Sequence, residues 1–178
     1  MIVREGFIES KLEPTNGLNY IRGASMLILG LDCASKTGWS LYDSDLKKTL
    51  ESGVQDFTKK RGESNGLLFL KFRRWLDDLI QMNPEISMIA YEQAHHRGGA
   101  ATEICVNLVG RAQEVAAQYG ILTAPVRTNT LKLFATGHGN ADKGMMIEAA
   151  GKVLGRKPID DNEADATMIS IWCAVEYG

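Results

Sequence analysis

The chain has little that would tie it to a membrane, a disulfide framework or a zinc site. No apolar run approaches the roughly 18 residues needed to span a bilayer. Only 3 of its 178 residues are cysteines. Cys33, Cys105 and Cys173 stand at unrelated spacings, which excludes a disulfide framework and a cysteine-based zinc site and fits a reducing cytoplasm. An excess of positive charge is missing as well. The formal net charge is −2 with a pI near 5.9, which taken alone counts against a phosphate-rich partner. Internal repeats and low-complexity tracts are absent. Residues 1 to 25 carry Arg4, Glu5, Glu9, Lys11 and Glu13 with no apolar core behind them, so no signal peptide is expected. They show no period and read as an N-terminal extension, a poorly ordered arm or an artificial addition, with one domain over 26–178.

What is present suits one domain with a sizeable core, since 44% of the residues are hydrophobic. From Met26 onward the pattern predicts three strands, LILGLD, GWSLYD and LESGVQDF, followed by a polar loop, TKKRGESNG. Residues 67–81 place Leu68, Phe72, Trp75, Leu76 and Leu79 on one helical face, and Asn83-Pro84 stops that helix. A fourth strand, ISMIAYE, covers 86–92. A helix from about Ala100 to Tyr119, closed by Gly120, leads to a fifth strand over 121–126. Helical segments are expected near 128–135, 141–154 and 162–176. Three meandering strands followed by strand–helix alternation predict an α/β domain, a five-stranded mixed sheet with helices on both faces.

Charge is segregated along the chain. From Arg127 to Lys157 there are six bases and two acids, whereas 160–178 holds five acids and no Lys or Arg. Two solvated faces of opposite sign would explain this, and so would a metal-dependent phosphate enzyme.

Three acids stand out by position. Asp32 and Glu92 each end an apolar strand, where open α/β sheets gather their sites. Asp165 lies three, four and seven residues before Met168, Ile169 and Trp172, so it shares their inward face. Asp161 and Asn162 can join that face. An inward carboxylate is costly unless paired, hydrogen-bonded or bound to metal. A helix cap or a buried hydrogen bond accounts for any one of them, but three at the ends of different core elements point to a shared role. All-oxygen ligands suit Mg²⁺ or Mn²⁺ and phosphodiester cleavage.

Four segments carry a family resemblance. GLDCASKTGWSLYD, YEQAHHRGGAATE, LKLFATGHGNADKGMM and DDNEADATMISIW resemble, in order, the motifs of RuvC-type Holliday junction resolvases of the RNase H-like superfamily, with phage and prophage variants nearest. The likeness runs from about Met26 to the C-terminus. It implies an RNase H-like fold and a Mg²⁺-dependent endonuclease acting on four-way junctions or forks. Mn²⁺ would be able to substitute, with two ions per site, and the enzyme would be a homodimer formed through the 100–119 helix. It implies Asp32, Glu92 and Asp165 as metal ligands and catalytic residues. Lys143 would lie beside the scissile phosphate and Lys132 on the DNA backbone. Family members place Asp or His three residues before the last ligand; this chain has Asn162, with Asp161 adjacent, and weaker metal binding is expected unless Asp161 contributes. His95, His96 and Arg97, followed by Gly98 and Gly99, would form a loop that enters DNA near the cut. Trp39 is expected in the core. A branched-DNA binding module without catalysis, or an RNase H acting on RNA–DNA hybrids, would share these residues. An actin-like or sugar-kinase-like fold shares part of the first strand motif, but it lacks the phosphate-facing Gly, and the chain is too short for that duplicated fold.

Overall fold

The computed structural model describes residues 25–93 and 98–178. The extension up to residue 24, and His95, His96 and Arg97, lie outside the described residues. The elements follow the expected order: β1 (Leu27–Asp32), β2 (Lys36–Asp43), β3 (Lys48–Asp56), α1 (Asn65–Met82), β4 (Ile86–Glu92), α2 (Ala100–Tyr119), β5 (Leu122–Val126), α3 (Thr128–Thr136), α4 (Lys143–Leu154) and α5 (Asp161–Tyr177). They build one five-stranded sheet in the order β3-β2-β1-β4-β5. β2 runs antiparallel to β1 and β3, while β1, β4 and β5 are parallel. This is the expected mixed sheet.

The central position of β1 explains its unbroken apolar run, because a strand covered on both faces has no polar side to present. Leu29 and Leu31 join Ile89 and Tyr91 in one core with α1 and α2. Ile28 joins Met88 and Ala90 in a second core with α3, α4 and α5. Helices therefore cover both faces. Trp39 packs against the first core, edge-on to Trp75.

Where element bounds differ from expectation, a cap or a turn is the reason. α1 begins at Asn65 because the Ser64 hydroxyl accepts from the Leu67 N–H at 3.3 Å. α4 begins at Lys143 because Asp142 caps it, accepting from the Met145 N–H at 2.9 Å. α5 begins at Asp161 because the Asp160 carboxylate accepts from the N–H groups of Asn162 and Glu163. β3 starts at Lys48 because Asp43 closes a tight turn through the N–H groups of Asp45 and Leu46.

Two glycines let α5 lie unusually close to the sheet. A Cβ on Gly30 of β1 would stand 2.3 Å from the Ala166 carbonyl oxygen, and one on Gly38 of β2 would stand 1.9 Å from that of Asn162. Backbone meets backbone there, so any side chain would push the helix away.

Candidate functional site

Asp32 ends the central strand and Glu92 ends the strand beside it. Leu31 pairs with Tyr91 in parallel register, so both carboxylates leave the sheet at the same edge. Neighbouring strands lie about 4.8 Å apart. By alternation Asp32 falls on the side of Ile28 and Gly30, and Glu92 on the side of Met88 and Ala90. That is the face α5 covers, and Asp165 comes from α5 one turn beyond Asp161. Gly30 and Gly38 set the height of the helix, and with it the depth at which Asp165 meets the other two.

The electrostatics join these acids into one cluster. Burial raises the Asp32 carboxyl well above the ordinary range, and Asp165, Glu92, Asp161 and Asp160 raise it further. Asp165 is pushed up to about 7, first by burial and then by Glu92 and Asp161, with Lys132 and Lys143 acting against them. One oxygen of Asp165, Oδ1, is buried without a hydrogen-bond partner among the described residues. Glu92 is oriented by the Thr128 hydroxyl, which donates to its Oε1 at 2.5 Å. Asp32, Cys33, Glu92 and Gln93 border a cleft of about 200 Å³, closed on its far side by Ala101, Thr102, Cys105 and Val109 of α2.

Lys143 forms an ion pair with Asp161. That pair explains how a lysine stands at the first position of α4, where the helix dipole opposes positive charge. Its side chain remains 80% exposed, so it can still reach a ligand at the rim. Asn162 spends both its backbone N–H and its side-chain amide N–H on Asp160, at 2.9 and 3.0 Å. Only its Oδ1 is left to offer an ion.

Oxygen-only donors, a buried carboxylate oxygen with no donor facing it, and carboxyls that raise one another fit a hard divalent cation such as Mg²⁺ or Mn²⁺. Among the described residues no group of three or more His, Cys, Asp or Glu side chains is placed so that it could hold a metal ion without rearrangement.

Sequence reasoning treated Glu163 as one acid of a run, but it is fully buried. Its carboxylate accepts from the Arg156 guanidinium at 2.5 and 3.2 Å, from the Ser52 hydroxyl at 2.7 Å and from the Ile159 N–H at 2.5 Å. Burial works to raise its carboxyl, but these donors outweigh it and hold it below the ordinary range. The D-x-x-E spacing of Asp160 and Glu163 was a readable capping signal. Together with Lys143–Asp161, this clasp shows that the basic and acidic segments bind one another and are not two separate faces. Thr128 and Gly30 were also missed; a lone glycine inside a buried strand is itself a sign of close backbone approach.

No family model matches the chain. It is 26% identical over 156 residues to the crossover junction endodeoxyribonuclease RuvC of Rickettsia conorii, covering 84% of this chain and 98% of that protein. RuvC of Synechococcus sp. strain CC9311 is also 26% identical over 156 residues, covering 82% and 96%. Thermus thermophilus RuvC superposes with a TM-score of 0.66 at 18% identity, over 82% of this chain and 92% of that one. T. thermophilus RuvC in complex with Holliday junction substrate superposes with a TM-score of 0.70 at 16% identity, over 85% and 93%. The chain is thus similar to RuvC in sequence and has the RuvC fold, the RNase H-like sheet expected from its motifs.

Proposed function

We propose that this RuvC-like chain is an endodeoxyribonuclease that cuts branched DNA, four-way junctions or forks, with Mg²⁺ or Mn²⁺. The observation that carries this reading is the cluster of Asp32, Glu92 and Asp165, with one buried carboxylate oxygen of Asp165 lacking a donor. These three would hold the metal, two ions per site. Either the Asn162 Oδ1 or the Asp161 carboxylate, now paired with Lys143, would serve as the further ligand. A divalent ion bound there supplies Lewis acidity to the phosphodiester and to the attacking water.

The chain's own groups do the rest. Thr128, by donating to Glu92, fixes that carboxylate's orientation, as partners behind metal ligands do. Lys143, paired with Asp161 yet 80% exposed, would face the negative charge developing on the phosphate once Asp161 is drawn to a cation. Lys132 on α3 contacts the DNA backbone, and His95, His96 and Arg97 would reach DNA beside the cut. A homodimer through α2 would present two sites to a two-fold junction. The stripe Leu108, Ala112, Val115 and Ala116 is committed to the core, so a partner would meet the other face of that helix. No helix among the described residues is long and apolar enough to cross a membrane.

The test is cleavage of a synthetic four-way junction with Mg²⁺, comparing the wild-type chain with Asp32→Asn. Nicking by the wild type that the variant loses is the expected result. Equal behaviour of the two sinks the nuclease reading, and junction binding without cutting in either metal would leave a branched-DNA binding module. Preference for an RNA–DNA hybrid would redirect the reading to RNase H activity.

A further inference from the structure

The carboxyl edge of the sheet holds one more charged element. β3 runs parallel to β1 and β4, so its end at Asp56 lies on the same edge as Asp32 and Glu92. The chain leaves β3 through Phe57, which is buried against Phe72 and Trp75. Its N–H donates at 2.7 Å to the carbonyl of Ser35, three residues past Asp32. The root of the segment is therefore tied to the loop that follows the central acid.

Beyond it, residues 60–63 close on themselves. The Glu63 N–H donates to the Lys60 carbonyl at 3.0 Å, the Lys60 N–H donates to Glu63 Oε2 at 3.0 Å, and Gly62 takes the positive φ of 89° that the turn needs. Lys71 neutralises Glu63 at 3.1 Å. The exposed side chains of Lys60 and Arg61 engage no hydrogen bond or ion pair among the described residues. Two exposed cations are thus presented on a closed, anchored turn; Lys60 feels the Glu63 carboxylate, which Lys71 already pairs. β3 stands two strands from β1, about 10 Å, a distance on the scale of the roughly 6 and 12 Å grooves of duplex DNA.

We propose that Lys60 and Arg61 form a second phosphate-binding element, gripping the backbone of the substrate duplex on the β3 side of the site. Lys132 and Lys143, by contrast, come from the helices that follow β5. The inference rests on the reading of the chain as a DNA nuclease and adds to it a specific arm contact.

The experiment measures dissociation constants of the full chain for a synthetic four-way junction, without divalent metal, from about 50 to about 200 mM NaCl. Lys60→Gln/Arg61→Gln removes the two cations. Lys47→Gln/Lys48→Gln removes the same charge at the opposite edge of the sheet. Losing two phosphate contacts lowers the salt slope by about 1.8, so over that range the variant's affinity falls about tenfold less than that of the wild type. The control pair keeps the wild-type slope. An unchanged slope in Lys60→Gln/Arg61→Gln, or an equal fall in both pairs, overturns the proposal. Should the wild type cut the junction while the slope stays unchanged, the turn alone is refuted. Should the wild type neither bind nor cut it, the nuclease reading falls and the turn contact falls with it.

Discussion

Replacing Asp165 by Asn should abolish cleavage and yet stabilise the metal-free protein. A carboxyl raised from 3.8 to about 7 penalises its ionised form by as much as about 4 kcal/mol. Part of the residue meets water, so about half of that is the realistic share. The sign follows from proton counting. Between these two values the folded state holds a proton that the unfolded state has released, so the Asp165 contribution to metal-free stability falls as pH rises from about 4 to about 7 and is constant above. Asn carries no charge, and its amide can donate to the neighbouring carboxylates. At pH 8 in EDTA a gain of about 2 kcal/mol raises the melting temperature by roughly 4–8 °C for a chain of this size. Mg²⁺ should then raise the wild-type melting temperature and leave the variant nearly unmoved. Thermal melts from pH 5 to 8.5, with and without Mg²⁺, read all of this. A wild-type melting temperature independent of pH in EDTA, with Asp165→Asn no more stable at pH 8, would refute the claim that these buried carboxylates repel one another.

Gly38→Ala places a Cβ where the Asn162 carbonyl oxygen is 1.9 Å away, so the first turn of α5 must retreat by more than about 1 Å. Stability should fall by about 1–3 kcal/mol and single-turnover cleavage by about a hundredfold, read by melting and by junction nicking; wild-type rates would show that α5 height does not set the site. Arg156→Met leaves the buried Glu163 carboxylate with Ser52 and Ile159 as its donors, which should cost about 2–3 kcal/mol at pH 7. Because Glu163 is held low in the fold, the stability it brings is present at neutral pH and is lost as pH falls below about 4.5 and through its lowered folded value, so the gap between variant and wild type should narrow steadily as melts are taken further below pH 4.5.

The order of elements was legible because strand and helix periods are local. LILGLD shows a fully covered strand, and the 67–81 stripe shows a helix face, without reference to anything distant. The three acids were legible for the same reason: each interrupts an apolar pattern at its end. Helix starts were less so, since a cap is decided by one side chain such as Asp160 or Asp142 meeting an N–H two or three residues on. Glu163 looked like any acid in an acidic run, because its partners Ser52 and Arg156 come from other parts of the chain.

By itself, then, the sequence determined which segments are strands and helices and marked three carboxylates, Asp32, Glu92 and Asp165, at the ends of core elements, since periodicity and the cost of burying charge act within a few residues. The tertiary structure decided that Asp32 and Glu92 stand on adjacent strands, that α5 descends on two glycines to add Asp165, and that Lys143 is engaged with Asp161. It also decided that Lys60 and Arg61 share the edge of the sheet with the acids. Those facts depend on strand order and on backbone-to-backbone approach between residues over a hundred positions apart; a lone glycine hints at close approach, but no local pattern says which distant segment arrives there.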